Sequence, residues 1–265
     1  MRRRLPMRLL VRDASRAPEL PGAEVVVADY GDPEALARAL DEGDRVFMVS
    51  LHEGPARRVP LHRSFVDAAA ARGVAQIAYL SFVNAGPDAV FLHARSHGAT
   101  EEALRESGVP WTSIRNSMYA DHVAGWFDAE GVAREPVGEG RISFSYRPEL
   151  AEAIAVVLTE PDHENRVYDV TGPESVTLGE LAEIASEVTG ADYRYEPATR
   201  EEWEARWRAR GQDGWQLEGG LSSFDAQVAG ELDVVTGDFR KLTGHEPLTI
   251  SAVISRHLEE MPLRG

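Results

Sequence analysis

The stretch "HARSHGATEE" places His93, His97 and Glu101 at i, i+4 and i+8, on one face of a helix. Two imidazoles and a carboxylate at that spacing could gather a divalent metal ion, and a histidine standing alone could relay a proton near neutral pH. The chain supplies neither the glutamate base nor the third-ligand spacing of helical zinc motifs. Crowding on a helix face is the better account, and no metal is expected. Other chemistry-bearing groups fall at the ends of apolar runs: Ser50 and Leu51 after "VFMV", Ser81 after "IAYL". In open α/β sheets, the carboxyl ends of strands are where ligands bind. Lys241 is the single lysine among 28 basic residues, and there is no cysteine. Lysine chemistry in the middle of the chain, thiolate catalysis and zinc–thiolate sites are therefore excluded.

The elements that must position these groups are legible in the periodicity. "MRLLV", Met7 to Val11, and "EVVVA", Glu24 to Ala28, read as strands, the continuous valines fitting a strand covered on both faces. Asp32 caps a helix that begins with Pro33 and turns Leu36, Ala39 and Leu40 to one side. "RVFMV" is a buried strand, "PLHRSFVDAAAARG" an amphipathic helix closed by Gly73, and "AQIAYLS" the next strand. "ARSHGATEEALRESG" is a helix stopped by Gly108, followed by the strand "PWTSIRN". This alternation predicts an α/β fold with a doubly wound parallel sheet.

After about Met118 the rhythm changes. "GRISFSY" alternates like a half-exposed strand, "RPELAEAIAVVLTE" is a helix, and "NRVYDVTG" another strand. Thr177 with Glu180, and Thr199 with Glu202, form Thr-x-x-Glu capping boxes at two helix starts. A last helix is expected within "TISAVISRHLEEM". The division expected is a Rossmann-type domain over residues 1–135 and a smaller α+β lobe over 136–265, covering the sheet ends.

With 43% hydrophobic and 27% charged residues, the chain has material for a sizeable core. A formal charge of −16 argues against nucleic acid or anionic membrane as a partner, since phosphates would be repelled. No run reaches membrane-spanning length and "MRRRLPMRLLVRD" lacks the longer apolar core and cleavage site of a secretory signal, so a soluble, cytoplasmic protein is the expectation.

"LVRD", "GAEVVVADYGDPEALARAL", "DRVFMVS", "YLSFVNAG", "HGATEEALRESGVPWTSIRNSMY" and "YDVTGPESVTLGELA", in that order, resemble the NmrA-like group of atypical short-chain dehydrogenases/reductases. The resemblance implies a Rossmann-type domain binding NADP, with NAD as the lesser possibility, and a lobe enclosing a small substrate. It implies that Arg12 pairs with the 2′-phosphate of NADP, unless it is a solvated arginine at a strand end; Asp13 beside it blurs the preference. Asp29 and Tyr30 resemble adenine-side contacts, though Asp29 could equally cap a turn. Ser50 and Leu51 would line adenosine and ribose. Ser81 and the adjoining Phe82 resemble the end of the catalytic strand, where serine polarises a substrate carbonyl, or caps the strand. The Tyr-x-x-x-Lys pair of typical short-chain reductases is replaced by His93 and His97. His97 would hydrogen-bond the nicotinamide ribose or relay a proton, unless it is an exposed helix histidine. Asn116 would meet the carboxamide, while Met118 and Tyr119 wall the substrate site or pack as core. Trp203, Trp207 and Trp215 either form a substrate wall or, more simply, pack the lobe.

The family normally opens with a strand and a Gly-x-x-Gly-x-x-Gly turn placed before "RLLVRD". Here "MRRRLP" resembles the last turn of the helix after that glycine loop, so a first βα unit of roughly 30 residues is expected to lie upstream. In the strand order of this fold that strand is central, between "MRLLV" and "RVFMV". The expected activity is NAD(P)H-dependent reduction of a quinone-like or other electron-poor acceptor. The alternative is a non-catalytic NADP(H)-binding redox sensor with a regulatory protein partner, and a homodimer is compatible with either. A chain that binds no dinucleotide is the weakest reading.

Overall fold

The computed structural model describes residues 6–261. The reading of "MRRRLP" as a helix end therefore falls, for residues 1–5, outside the described residues. Strand β1 (Met7–Val11) pairs in parallel with β2 (Ala23–Val27), Met7 opposite Ala23 and Val11 opposite Val27. β2 thus runs one residue earlier than its valines suggest. Asp32 caps α1 (Pro33–Ala39), its carboxylate accepting from the Ala35 amide, with Pro33 in the first turn where an amide hydrogen has no helical partner. β3 (Arg45–Met48) leads to α2 (Pro55–Arg72), which starts a turn before the expected Pro60 and ends at Gly73 with φ of 69°. β4 (Gln76–Phe82), α3 (Leu92–Glu106) and β5 (Trp111–Asn116) follow.

Past β5 the chain forms β6 (Met118–Tyr119), a 3₁₀ turn, β7 (Val132–Ala133), β8 (Ile142–Ser145) and α4 (Arg147–Thr159). It then returns to the main sheet: β9 (Arg166–Val170) lies parallel to β5, giving the order β3-β4-β5-β9. β10 (Ser175–Val176), α5 (Leu178–Thr189), β11 (Arg194–Tyr195), α6 (Arg200–Ala209), α7 (Gly214–Val228), α8 (Asp238–Thr243) and α9 (Ile250–Arg256) complete the chain. Both capping boxes form at the predicted threonines. Small ladders β10-β8-β6 and β11-β7 organise the lobe. The architecture is a Rossmann-type α/β sheet with a C-terminal α+β region.

The sheet is wound on two faces. Ile77 and Tyr79 of β4 pack with Leu36, Phe65 and Leu104 from α1, α2 and α3. Ala78 and Ile114 pack on the other side with Leu150, Ala153 and Phe239 from α4 and α8. Leu10, Val26 and Val46 join the first of these cores, so β1, β2 and β3 share one covering layer. Their opposite face differs from the expectation of double cover: Val25, Val27 and Phe47 are 41%, 58% and 36% exposed. Among the described residues β1 pairs with β2 and β3 with β4, and no ladder joins β1 to β3.

Candidate functional site

The carboxyl ends of β1, β3, β4 and β5 define the candidate site. At the end of β1, Arg12 and Arg16 are both exposed. Asp13 between them caps a 3₁₀ turn, accepting from the Ser15 amide at 2.9 Å and the Ser15 hydroxyl at 2.7 Å. Those bonds hold its carboxyl below the usual carboxylate range. Both bonds use Oδ1, so Asp13 is turned into the local turn, while the exposed guanidiniums of Arg12 and Arg16 carry the charge that suits a phosphate.

Asp29 accepts from the Gly31 amide at 2.7 Å, the turn-capping alternative for this residue. The Tyr30 ring lies 4.5 Å from that of Phe65, and its hydroxyl donates to the Val49 carbonyl at 3.2 Å. Burial pushes that phenol's pKa up. Tyr30 therefore braces the end of β3. Beyond β3, Ser50 and Leu51 are half-buried. The Leu51 amide donates to His62 Nε2 at 3.0 Å, and its carbonyl accepts from Arg58 Nε at 2.8 Å.

Ser81 is fully buried, and its hydroxyl donates to Glu101 Oε1 at 2.8 Å. Glu101 also accepts from Ser113 at 2.6 Å and from Arg115 Nε and Nη2 at 2.8 and 2.7 Å. Burial alone would raise this carboxyl's pKa; the hydrogen bonds of Arg115, Ser113 and Ser81 outweigh it and lower it. Arg115 in turn donates to the Ala85 carbonyl at 3.2 Å, tying down the loop after β4. The Ser81 hydroxyl is thus committed to this network beneath the sheet end. Phe82, also buried, stands edge-on to Phe91 at 5.0 Å.

His97 is 6% exposed, with Nδ1 2.8 Å from the Tyr79 hydroxyl. Burial, reinforced by Arg58, His62, His93 and Arg115, drives its pKa well below the ordinary value. At neutral pH it is a neutral, oriented hydrogen-bonding group. His93 faces elsewhere: its Nδ1 lies 3.4 Å from Arg58 and its ring is edge-on to Trp215 at 5.7 Å. His93, His97 and Glu101 thus point to three different partners, and no group of candidate ligands for a metal converges among the described residues.

At the end of β5, Asn116 is buried and its amide donates to the Ser117 carbonyl at 2.5 Å. The Ser117 amide donates to Ser145 at 2.8 Å, but the Ser117 hydroxyl is buried with no partner among the described residues. Sequence reasoning passed over Ser117, and nothing in its neighbours marks it. Met118 and Tyr119 are half-buried in β6, Met118 against the lobe core. Trp203 and Trp207 stack at 4.4 Å with Phe224 beside them, the plain packing alternative. Trp215 alone reaches the site, edge-on to His52 at 5.1 Å.

These groups fit a dinucleotide at both ends. Exposed guanidiniums just after β1, on Arg12 and Arg16, suit a phosphate, and the orphaned Ser117 hydroxyl suits a polar ligand atom at β5. The glycine-rich phosphate turn expected ahead of β1 is not among the described residues.

A family model described as NAD(P)H-binding matches residues 1–161. Quinone oxidoreductase 2 of Escherichia coli is 31% identical over 256 residues, covering 93% of this chain and 87% of that protein. The NAD(P)H azoreductase of Xenophilus azovorans is 30% identical over 204 residues, covering 75% of this chain and 71% of that one. The triphenylmethane reductase of Citrobacter sp., solved with NADP(H), superposes with a TM-score of 0.84 at 30% identity, over 94% of this chain and 89% of that chain. The NADPH-dependent quinone oxidoreductase of Escherichia coli, solved with NADPH, gives 0.83 at 28% identity, over 95% and 90%. This chain belongs to the NAD(P)H-binding family, in its NmrA-like, quinone-oxidoreductase-like branch.

Proposed function

We propose that this oxidoreductase takes NADPH and reduces a small, electron-poor acceptor of the quinone type. The observation that carries the reading is the state of the two groups to which the resemblance would give the proton donor's place. His97 is neutral and bonded to Tyr79, and Ser81 is bonded to Glu101. A site without a poised acid suits an acceptor that needs little protonation in the transition state. NADPH, when bound, supplies the hydride. Reduction of a quinone to a quinol consumes that hydride and one proton, which water can provide.

The chain's own residues bind and orient. Arg12 would receive the 2′-phosphate; the Ser50–Leu51 backbone, Asp29 and Tyr30 would frame the adenosine half. His97, Ser81 and Phe82 would support the nicotinamide half from β4 and α3. Asn116 and Ser117 would meet the carboxamide, with Met118 and Tyr119 on the acceptor side. Trp215 would close the cleft from the lobe. Among the described residues no helix is long and apolar enough to cross a membrane.

Mixing the purified protein with NADPH and a benzoquinone, and following nicotinamide absorbance, tests the reading. Quinone-dependent oxidation that falls on His97→Ala is expected. Tight binding without oxidation would mark the redox sensor instead, and absence of binding would sink both.

A further inference from the structure

The peptide of Leu51 is held from both sides by one helix. Arg58 and His62 lie one turn apart on α2, so both side chains leave the same face. They are 7% and 0% exposed, and they take the Leu51 carbonyl and amide respectively. An amide hydrogen can bond only an unprotonated ring nitrogen, so His62 carries its proton on Nδ1. That proton points to Thr100 Oγ1 at 2.9 Å, and the threonine hydroxyl donates onward to the Ser96 carbonyl at 2.9 Å. Burial, with Arg58 beside it, holds His62 down to about 3, so Nε2 remains an acceptor through the physiological range. Arg58 is braced in the same way from α3, its Nη1 lying 3.4 Å from His93 Nδ1. A directed chain of hydrogen bonds therefore runs from the turn after β3, through α2, into α3.

A turn at the surface could satisfy its peptide groups with water. Burying a guanidinium and an imidazole to grip one peptide brings a desolvation penalty that their hydrogen bonds to Leu51 and Thr100 offset, and the result is a fully satisfied polar network that fixes one geometry of the turn. The gripped peptide sits at the carboxyl end of β3, the edge where this fold binds dinucleotides. The α2 cap, Gly54, has no side chain to hold this turn, and its carbonyl accepts only from the Arg57 and Arg58 amides of α2 itself, so the side-chain grip on the Leu51 peptide comes from Arg58 and His62.

We propose that Arg58 and His62 are positioning residues that preset the Ser50–Gly54 turn for the dinucleotide. NADPH then meets a turn already in its binding shape, and association loses less conformational entropy. The proposal rests on the reading that NADPH lies across these strand ends.

The test compares His62→Leu, His62→Gln and Thr100→Val with the unaltered protein. Three quantities are read: hydrogen exchange of the turn without nucleotide, NADPH affinity by fluorescence titration, and KM for the acceptor. His62→Leu is expected to speed exchange at Leu51 and weaken NADPH by up to about tenfold, the loss of one hydrogen bond, with acceptor KM unmoved. In His62→Gln the carboxamide can accept from Leu51 and donate to Thr100, so both readouts are expected to return to within about threefold. Thr100→Val, which keeps the packing, is expected to shift both the same way by less. Faster exchange with unchanged NADPH affinity overturns the proposal alone, as does a Gln variant no better than Leu. An unaltered protein that binds no NADPH overturns the functional reading and this proposal together.

Discussion

Glu101 on α3 and Arg115 on β5 meet in a two-point contact, Nε to Oε1 at 2.8 Å and Nη2 to Oε2 at 2.7 Å, with the carboxylate side chain 1% exposed. The pair locks a helix to a strand directly beneath the candidate site, and through Ala85 it also holds the loop after β4.

Removing Arg115 strips the buried Glu101 carboxylate of its two-point partner and leaves Arg105, 42% exposed with Nη2 at 3.1 Å, as its remaining cation. Arg115→Met is therefore expected to lower stability by less than the about 3–5 kcal/mol of a buried charge left with no cation, while the double change Arg115→Met with Glu101→Leu is expected to cost less than the single one. Denaturant titration of the two variants and the unaltered protein decides it; equal or greater loss in the double variant would refute the account. Because Glu101's folded pKa is depressed, its stabilisation is present above the ordinary value of 4.5 and is lost as pH falls through the lower folded value.

His97 is held neutral by burial, so turnover should carry no His97 inflection between about pH 5 and 8. The pH profile of kcat/KM checks this. An inflection near the ordinary histidine value that disappears in His97→Ala, with turnover persisting, contradicts the burial argument.

Asp13 is engaged by Ser15, which separates its role from that of Arg12. Arg12→Ala is expected to weaken NADPH by about 10–100-fold, the loss of a charge-assisted hydrogen bond, and to leave NADH nearly unchanged. Asp13→Asn is expected to move the NADPH/NADH preference by less than about threefold. Titration of each variant with both nucleotides measures the ratio; a strong gain in NADH preference from Arg12→Ala alone is the signature.

Two helical glycines should respond to alanine with opposite signs. A Cβ at Gly220 would lie 2.6 Å from the Trp203 ring, which is 1% exposed and cannot yield. Gly220→Ala is expected to destabilise by about 1–3 kcal/mol through overpacking, despite its better helix propensity. At Gly179 the nearest group is the Thr177 hydroxyl at 3.6 Å, so Gly179→Ala is expected to gain about 0.5–1 kcal/mol. Thermal unfolding of both settles the comparison.

Most of the sheet was legible because its signals are local. Apolar runs, Asp32 before Pro33, Gly73 at a helix end and the two threonine capping boxes each act within a few residues. α7 escaped notice because Gly219 and Gly220 interrupt its helical pattern. Those glycines are there for neighbours distant in sequence, since a Cβ at either would strike His93 or Trp203. β7 and β11 are two residues each and exist only as each other's partners. At the site, the positions of Ser81, His97 and Asn116 at strand ends or on the flanking helix could be read, but their hydrogen bonds could not.

The order of strands and helices through β5, the net negative charge and the absence of lysine and cysteine chemistry in the middle of the chain followed from the amino-acid sequence, because propensity, capping and charge are properties of short stretches. Which way each polar group turned was decided by tertiary packing. Ser81 goes to Glu101, Asp13 to Ser15, His97 to Tyr79, and Leu51 is gripped between Arg58 and His62. Buried donors and acceptors take whatever partner the neighbouring layer presents, and apart from the local Asp13–Ser15 turn those partners come from distant parts of the chain.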